Sequence, residues 1–304
     1  MIGLPHFLTA ASLFILLLGL IFFVYHIFVR KNVLLKLTGY RLFFSCTIFV
    51  FFISLCCFAG YIYSKPYLDL NTSLIVFFQT LLFIFVFGWF YCMLKGTQET
   101  TMEILETLIG VLETRAKNLG GHSLHVRNLA MLLYDYLPIN YRSAIDRESL
   151  QFATLLLDIG KLGIPSEIIS KNGKLEESEW ELIRLHPDFG MNILLQIPSF
   201  DTIALWVKYH HERVDGSGYY HLKENEIPLA SRLIAVVDTY SAITIERSYK
   251  AVLPYENAIT ELRLSAGSQL DRELVDVFCS IPMNKVERCL HDAKEKMHRY
   301  EELF

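Results

Sequence analysis

The chain of 304 residues lacks a basic run, a paired-cysteine motif and any long stretch in which polar and apolar residues alternate. Its net charge is −4, and because nucleic-acid backbones are bound by clustered Lys and Arg, this composition argues against a nucleic-acid polymer as partner. Six cysteines occur without CxxC spacing, which argues against a zinc knuckle or a disulfide framework. The lack of alternation argues against a sheet and predicts an all-α fold.

Charged residues are also scarce up to residue 95, and three stretches at 8–29, 42–63 and 74–94 contain none. At about 1.5 Å per residue, each is long enough to cross about 30 Å of hydrocarbon as a helix. The loop between the first two carries Arg30, Lys31, Lys36 and Arg41, which predicts that this loop is cytoplasmic. We therefore expect a membrane domain at 1–95 in contact with lipid, with the N-terminus outside and the C-terminal domain in the cytoplasm.

Residues 96–119 have the pattern of a linker helix that continues from the third stretch. Apolar residues recur there at spacings of three and four, as in a coiled-coil seam: Met102, Leu105, Ile109, Leu112 and Ala116. Two interpretations stay open. The helix packs on its own domain, or residues 102–116 form the seam of a parallel homodimer.

The remainder has helical patterns joined by short turns, near 122–137, 147–159, 176–186, 188–196, 200–213, 229–246, 255–264, 271–280 and 284–302. Asp158 and Asp238 each end an apolar run of such a helix. An unpaired charge buried among apolar residues costs several kcal/mol, so each carboxylate needs a cation, either a metal ion or a basic side chain.

Four histidines accompany these carboxylates, namely His122, His186 and the adjacent pair His210 and His211. In a helix the adjacent pair would point about 100° apart, so it could not easily share one metal face but could serve two ions or two edges of a cluster. Mixed imidazole and carboxylate ligands suit iron, manganese or zinc. Because two ions about 3.5–4 Å apart can activate water and neutralise a phosphate, a dinuclear centre for phosphodiester hydrolysis is predicted.

These residues stand in strings that resemble the HD-GYP family, the metal-dependent HD phosphohydrolases that cleave cyclic dinucleotides, chiefly cyclic di-GMP. The resemblance runs from about Glu113 to Phe278 and rests on Gly121–Ser123, Leu157–Pro165, His186–Gly190, His210–Tyr220, Asp238–Thr244 and Arg247–Tyr249. It implies an HD-GYP-like domain at 120–304. Together with the apolar stretches, it implies a multi-pass protein of the inner membrane of a bacterium, acting in signal transduction.

The resemblance also implies roles for single residues. One divalent ion would be held by His122, Asp238 and the HD-motif pair at 157 and 158, and a second by His186, His210 and His211, with Asp158 as the bridge. Lys161 would contact a phosphate oxygen and would, with Asp158, take part in catalysis. Arg247 would either assist Lys161 or form a structural ion pair. Gly218 and Tyr219 would contact the substrate from a loop whose glycines allow close approach of the backbone.

Several residues depart from the family pattern. Leu157 stands where the HD motif has histidine, and because leucine cannot ligate a metal, the first site is expected to bind weakly or not at all. Losing even a residue that supports a ligand typically costs about 10–100-fold in metal affinity. Tyr220 replaces the proline of Gly-Tyr-Pro, and Ser241 replaces a usual second Asp. His125, one turn beyond His122, is either a substitute ligand or a surface histidine.

Three functions are compatible with these features. The first is a membrane-anchored phosphodiesterase that opens cyclic di-GMP with a dinuclear centre or a single ion, at reduced activity. The second is a degenerate domain that binds a nucleotide or a signalling partner protein without hydrolysis. The third is a dimeric membrane scaffold.

Overall fold

The computed structural model describes residues 70–115, 121–171, 173–245 and 252–303. Within these ranges the regular structure is helical, and the β pairing is limited to an isolated bridge between Ala266 and Leu270. The all-α fold class is therefore confirmed. The first two expected membrane spans, at 8–29 and 42–63, lie outside the described residues.

In chain order, the α-helices of the described residues are α1 Leu70–Arg115, α2 His122–Tyr136, α3 Ile139–Ala144, α4 Arg147–Leu155, α5 Ser166–Ile169, α6 Glu177–Ile183, α7 His186–Leu194, α8 Asp201–Lys208, α9 Leu229–Thr244, α10 Tyr255–Ser265, α11 Arg272–Cys279 and α12 Met283–Glu301. Short 3-10 helices occur at Ile159–Gly163 and Glu224–Glu226. Prolines direct several helix starts, because Pro228, Pro254 and Pro282 directly precede α9, α10 and α12 with φ already near its helical value.

The chain divides into two units, residues 1–101 and 102–304, and the division falls inside α1. The described part of the first unit is the N-terminal portion of α1, which contains the third expected span at 74–94. Its large apolar side chains are largely exposed, as at Phe78, Leu82, Phe85 and Trp89. By length and composition, α1 is sufficient to cross a membrane.

The C-terminal portion of α1 belongs to the second unit and packs on it. Met102 and Ile109 are buried there. At these two residues the linker helix therefore packs on its own domain, which was the first of the two interpretations. Leu112 is 46% exposed, and Ala116 lies outside the described residues.

Two buried carboxylates fasten this portion of α1 to the domain. Glu106 forms ion pairs with Arg127 of α2 and Lys296 of α12. In the last turn of α1, Glu113 Oε1 accepts the backbone N–H of Ser123 at 2.9 Å, at the start of α2. Burial raises the pKa of Glu113. The linker helix thus reaches the first turn of α2.

Helix α2 packs against α4, α9 and α12, and α7 packs against α8 and the 3-10 helix at Ile159–Gly163. The fully buried side chains of this core include Leu124, Leu129, Leu133, Leu150, Leu155, Ile203, Leu233, Ile234, Leu262 and Phe278. The first packing brings the start of α2 to the middle of α9. The second brings the start of α7 to the turn that follows α4.

Two helices end earlier than expected from the sequence. Helix α4 ends at Leu155, and the chain turns through 3-10-type bonds, with Ile159 N–H donating to Leu156 O at 3.0 Å. Helix α8 ends at Lys208, and Glu212 N–H donates to Tyr209 O at 3.1 Å in the turn beyond it. The predictions that these helices continue to residue 159 and to residue 213 were therefore wrong at the C-terminal end of each helix.

Candidate metal centre

Three histidines, two of them buried, form a group of side chains that could hold a metal ion. His186 is the first residue of α7, and His210 and His211 lie in the turn after α8. One nitrogen of each lies within 4.8 Å of those of the other two. The adjacent pair lies outside a helix, so the helical angle of about 100° between neighbours does not apply. Both rings face His186, with centroids 5.3 and 5.0 Å away.

The hydrogen bonds of two of these rings define where their protons lie. His186 Nδ1 is 2.7 Å from Ile183 O, and His210 Nδ1 is 2.5 Å from Val207 O. A carbonyl oxygen only accepts, so each Nδ1 carries the proton and each Nε2 has a lone pair. These two Nε2 atoms lie 3.5 Å apart. Two facing lone pairs repel each other, and either a shared proton or a metal ion between or beside them removes this repulsion.

Asp158 adds a carboxylate to this group. Its Oδ1 lies 3.5 Å from His186 Nε2, and its Oδ2 accepts from Lys161 Nζ at 2.7 Å. Burial raises the pKa of Asp158, but the Lys161 ammonium and the neighbouring histidines outweigh this and hold the pKa well below its usual range. The side chain is therefore an anion that faces both a lysine and the histidine group.

Gly160 permits this approach of the 3-10 helix to α7. A Cβ at this position would collide with the carbonyl oxygen of His186 and the backbone nitrogen of Gly190. The close backbone contact holds Asp158 beside His186. No side chain larger than hydrogen fits there without moving one of the two segments.

A second pair lies where α2 meets α9. His122 Nε2 is 3.0 Å from Asp238 Oδ1. Burial raises the pKa of Asp238, whereas the hydrogen bond and charge of His122 lower it, with a net result well below the usual range. His122 Nδ1 is 2.9 Å from Ser241 Oγ, which is also 3.0 Å from His125 Nδ1.

His125 is fully buried, so its interpretation as a surface histidine is wrong. Its Nδ1 contacts a serine hydroxyl, and its Nε2 has no hydrogen-bond partner within the described part of the chain. Burial lowers the pKa of His125 to about 3. His125 is thus a neutral imidazole that supports the neighbourhood of His122.

The position that departs from the HD motif offers no ligand. Leu157 is 1% exposed and belongs to the apolar core. The donors that remain in this neighbourhood are His122 Nε2, the Asp238 carboxylate and the Asp158 carboxylate.

The loop 213–222 covers one side of the histidine group. The Tyr219 ring lies against His211 with centroids 4.8 Å apart. Gly218 is buried, and a Cβ there would lie 2.7 Å from Glu212 Oε1 and from Arg213 N, so this glycine is required by the fold of its own loop. The sequence had suggested close approach to a ligand as the reason for this glycine. Arg247 lies outside the described residues.

Sequence reasoning missed the role of Glu212. Its buried carboxylate accepts N–H from Tyr220 at 2.7 Å and from Leu222 at 2.6 Å, and so closes the loop beside His211. The sequence feature that could have indicated this role is the position of Glu212 directly after His210 and His211. The N–H partners lie eight and ten residues further on and have no local pattern that marks them.

The donor chemistry fits a divalent transition metal. His186, His210, His211 and Asp158 would hold one ion, since neutral imidazole and carboxylate are the ligands that iron, manganese and zinc share. His122 and Asp238, with Asp158, would hold a second ion with fewer protein ligands. The lone pairs of His186 and His210 are the observation on which this fit depends.

Comparison with known proteins identifies the family of the domain that holds these residues. The family model described as HD domain matches residues 106–274. A protein of Vibrio cholerae named 3'3'-cGAMP-specific phosphodiesterase 3 is 34% identical over 57% of this chain and 37% of its own length. The cyclic di-GMP phosphodiesterase of Thermotoga maritima is 34% identical over 60% of this chain and 50% of its own length. The chain thus spans half or less of these relatives.

Proposed function

The chain belongs to the HD domain family, in its HD-GYP branch, and on this basis we propose that it is a metal-dependent phosphodiesterase of cyclic dinucleotides. The relatives named above are phosphodiesterases of 3'3'-cGAMP and cyclic di-GMP. Cyclic di-GMP is the substrate that we propose first, with 3'3'-cGAMP as the alternative in the same chemical class.

The observation that carries this proposal is the pair of Nε2 lone pairs of His186 and His210, 3.5 Å apart and beside the Asp158 carboxylate. Bound metal ions supply activation of water and neutralisation of the phosphate charge. The protein's own part is to hold these donors in place through the carbonyl oxygens of Ile183 and Val207. Lys161 adds a positive charge at the edge of the centre, where a phosphate oxygen would lie.

The full chain, purified with manganese or with iron under anaerobic conditions, tests this function. We expect cyclic di-GMP or 3'3'-cGAMP to be converted to the linear dinucleotide or to mononucleotides, separated by chromatography. Chelation of the metal, and His210→Ala, should each abolish the products. A chain that holds metal but converts neither substrate would contradict the enzymatic proposal.

A second function is favoured by one observation, the burial of Leu157 in the apolar core. With only His122, Asp238 and a shared Asp158 in its neighbourhood, the second ion would be held weakly. The domain would then bind a cyclic dinucleotide or a signalling protein without hydrolysis. Leu157→His distinguishes the two functions, because a gain of hydrolysis by this variant over an inactive parent supports the binding module.

The cellular setting is also a proposal. Helix α1 supports a membrane anchor by its length and apolar composition, and we place the domain after it in the cytoplasm of a bacterium, at the inner membrane. Ile104, Leu108 and Leu112 form an exposed apolar row on α1, which supports a homodimer through residues 102–116. Crosslinking of a Leu108→Cys variant in membranes tests the dimer, and absence of a crosslinked pair would exclude contact at this residue.

A further inference from the structure

The hydroxyl of Ser241 lies between two imidazoles. Ser241 is fully buried, three residues after Asp238 on α9. Its Oγ is 2.9 Å from His122 Nδ1 and 3.0 Å from His125 Nδ1. The resemblance to the family had marked Ser241 as a departure in which an acidic residue is lost. In the structure this residue makes contacts that link the candidate ligand His122 to a second buried histidine, His125.

Metal binding by His122 would determine where the protons of His122, Ser241 and His125 lie. In this structure His122 Nε2 lies 3.0 Å from the Asp238 carboxylate, and because a carboxylate oxygen only accepts, Nε2 carries a proton. For Nε2 to bind a cation beside Asp238, that proton must be lost and Nδ1 must carry one, which then donates to Ser241 Oγ. Ser241 has one proton of its own to donate. His125 Nδ1 is the acceptor within reach, and a neutral His125 then carries its proton on Nε2.

The buried Nε2 of His125 lowers the stability of the folded protein. Its Nε2 is buried, and the described residues offer it no partner. A buried polar atom without a partner costs about 1–3 kcal/mol. The hydrogen bond that the described residues do provide to this ring is the contact with Ser241. Packing alone does not explain why a fully buried imidazole is hydrogen-bonded, within the described residues, to the same serine that contacts His122.

We propose that Ser241 and His125 are positioning residues that support His122 in the tautomer with its proton on Nδ1, the tautomer in which Nε2 binds a metal ion beside Asp238 instead of donating to Asp238. This inference rests on the metal centre of the proposed function. It assigns to Ser241 the support that a histidine ligand receives when its second nitrogen is hydrogen-bonded. The departure at this position is then a replacement of that support by a neutral hydroxyl, and the site at His122 keeps its orientation.

The chain offers a matched control on the same helix. Ser231 is also fully buried on α9, and its Oγ donates to the carbonyl oxygen of Trp206 at 3.0 Å. Ser231→Ala and Ser241→Ala remove the same atom from the same helix. A general effect of losing a buried hydroxyl appears in both variants, whereas an effect on His122 appears only in the second.

Cobalt(II) titration of the metal-free full chain, followed by its visible absorption, gives the first test. His122→Ala identifies the binding step that belongs to His122 by abolishing it. We expect Ser241→Ala to weaken that step by about 10–100-fold, and Ser231→Ala to leave it unchanged. Equal affinities for Ser241→Ala and Ser231→Ala would overturn the proposal. If His122→Ala removes no step, the metal site at His122 is absent and that part of the proposed function fails with it.

Two variants of equal shape separate the hydroxyl from packing. Thr and Val at position 241 differ only in that Thr keeps the hydroxyl. We expect Ser241→Thr to bind cobalt at least tenfold more tightly at the His122 step than Ser241→Val. This pair of variants also tests the proposal if Ser241→Ala does not fold. Equal cobalt binding by the two variants would refute the support of His122 by the Ser241 hydroxyl.

The Nδ1 proton of His122 is the second readout. In the zinc-loaded chain labelled with 15N-histidine, proton–nitrogen correlation spectra report this proton, because Nε2 then binds the metal ion. We expect it to be shifted downfield by its hydrogen bond to Ser241 in the wild type and in Ser231→Ala, and to move upfield in Ser241→Ala. An unchanged chemical shift of the His122 Nδ1 proton in Ser241→Ala would show that Ser241 has only a structural role.

Discussion

The Nε2 atoms of His186 and His210 face each other at 3.5 Å, and each ring is fixed by donation from its Nδ1 to a backbone carbonyl. The carbonyls come from the preceding turns, three residues before each histidine. Each local segment therefore sets its own tautomer, and the packing of α7 on α8 sets the distance between them. This combination of local and tertiary constraints makes the pair a ready ligand for a cation.

We expect His210→Ala to lose about one metal ion per chain, because a structured site with one ligand fewer no longer competes with solvent for the ion. Elemental analysis by mass spectrometry of the purified chain measures this. His221→Asn is the control, since His221 is exposed and has φ of 60°, a conformation that asparagine also adopts. Metal content that is equal in the two variants would contradict the role of His210.

Gly160→Ala is expected to weaken metal binding although residue 160 has no ligand atom. The added Cβ would push the 3-10 helix away from α7 and so separate Asp158 from His186, with an expected loss in affinity of at least about tenfold and a loss in stability of about 1–3 kcal/mol. Competition with a chelator measures the first and urea unfolding the second. Gly96→Ala is the control, because a Cβ there would meet nothing within 4 Å. Retention of full affinity by Gly160→Ala would mean that the backbone contact does not position Asp158.

The sequence predicted the helical fold and the residues that approach one another, but not their arrangement. The buried runs that end at Asp158 and Asp238 have a clear local pattern, because a carboxylate among apolar residues needs a cation. The arrangement of His210 and His211 depends on where α8 ends. That end is set by tertiary contacts around the turn, which outweigh the helical pattern of the sequence.

Residues that act through distant partners were the least predictable. Ser241 contacts His122 at a separation of 119 in residue number. Glu106 of the linker helix pairs with Lys296 at a separation of 190. No local periodicity marks such a contact. In each case the residue type is visible in the sequence, and the packing of α2 against α9, α12 and the linker helix defines the partner.

Glu106→Ala is expected to lower the free energy of unfolding by about 3 kcal/mol, because it leaves the charges of Arg127 and Lys296 without their buried partner. Urea unfolding of the full chain, followed by circular dichroism, measures the change. Glu103→Ala is the matched control, since Glu103 is exposed and lies less than one turn earlier on α1. If both variants unfold alike, the linker helix is not fastened to the domain through Glu106.

The buried imidazole of His125 predicts a dependence of stability on pH. Burial lowers its pKa from 6.5 to about 3 in the folded protein. Above pH 6.5 both states are neutral and the residue contributes no slope, whereas as the pH falls below 6.5 only the unfolded chain gains the proton, so stability declines. Each such group adds about 1.4 kcal/mol per pH unit in this window.

In the metal-free chain, the stability of His125→Asn should therefore fall less steeply than that of the wild type between about pH 5.5 and 4.5, by this amount. Leu124→Ala, a destabilising change without a titrating group at the adjacent fully buried position, should lower the whole curve and keep the wild-type slope. Equal slopes for His125→Asn and the wild type would mean that His125 takes up its proton in the folded state as readily as in the unfolded chain.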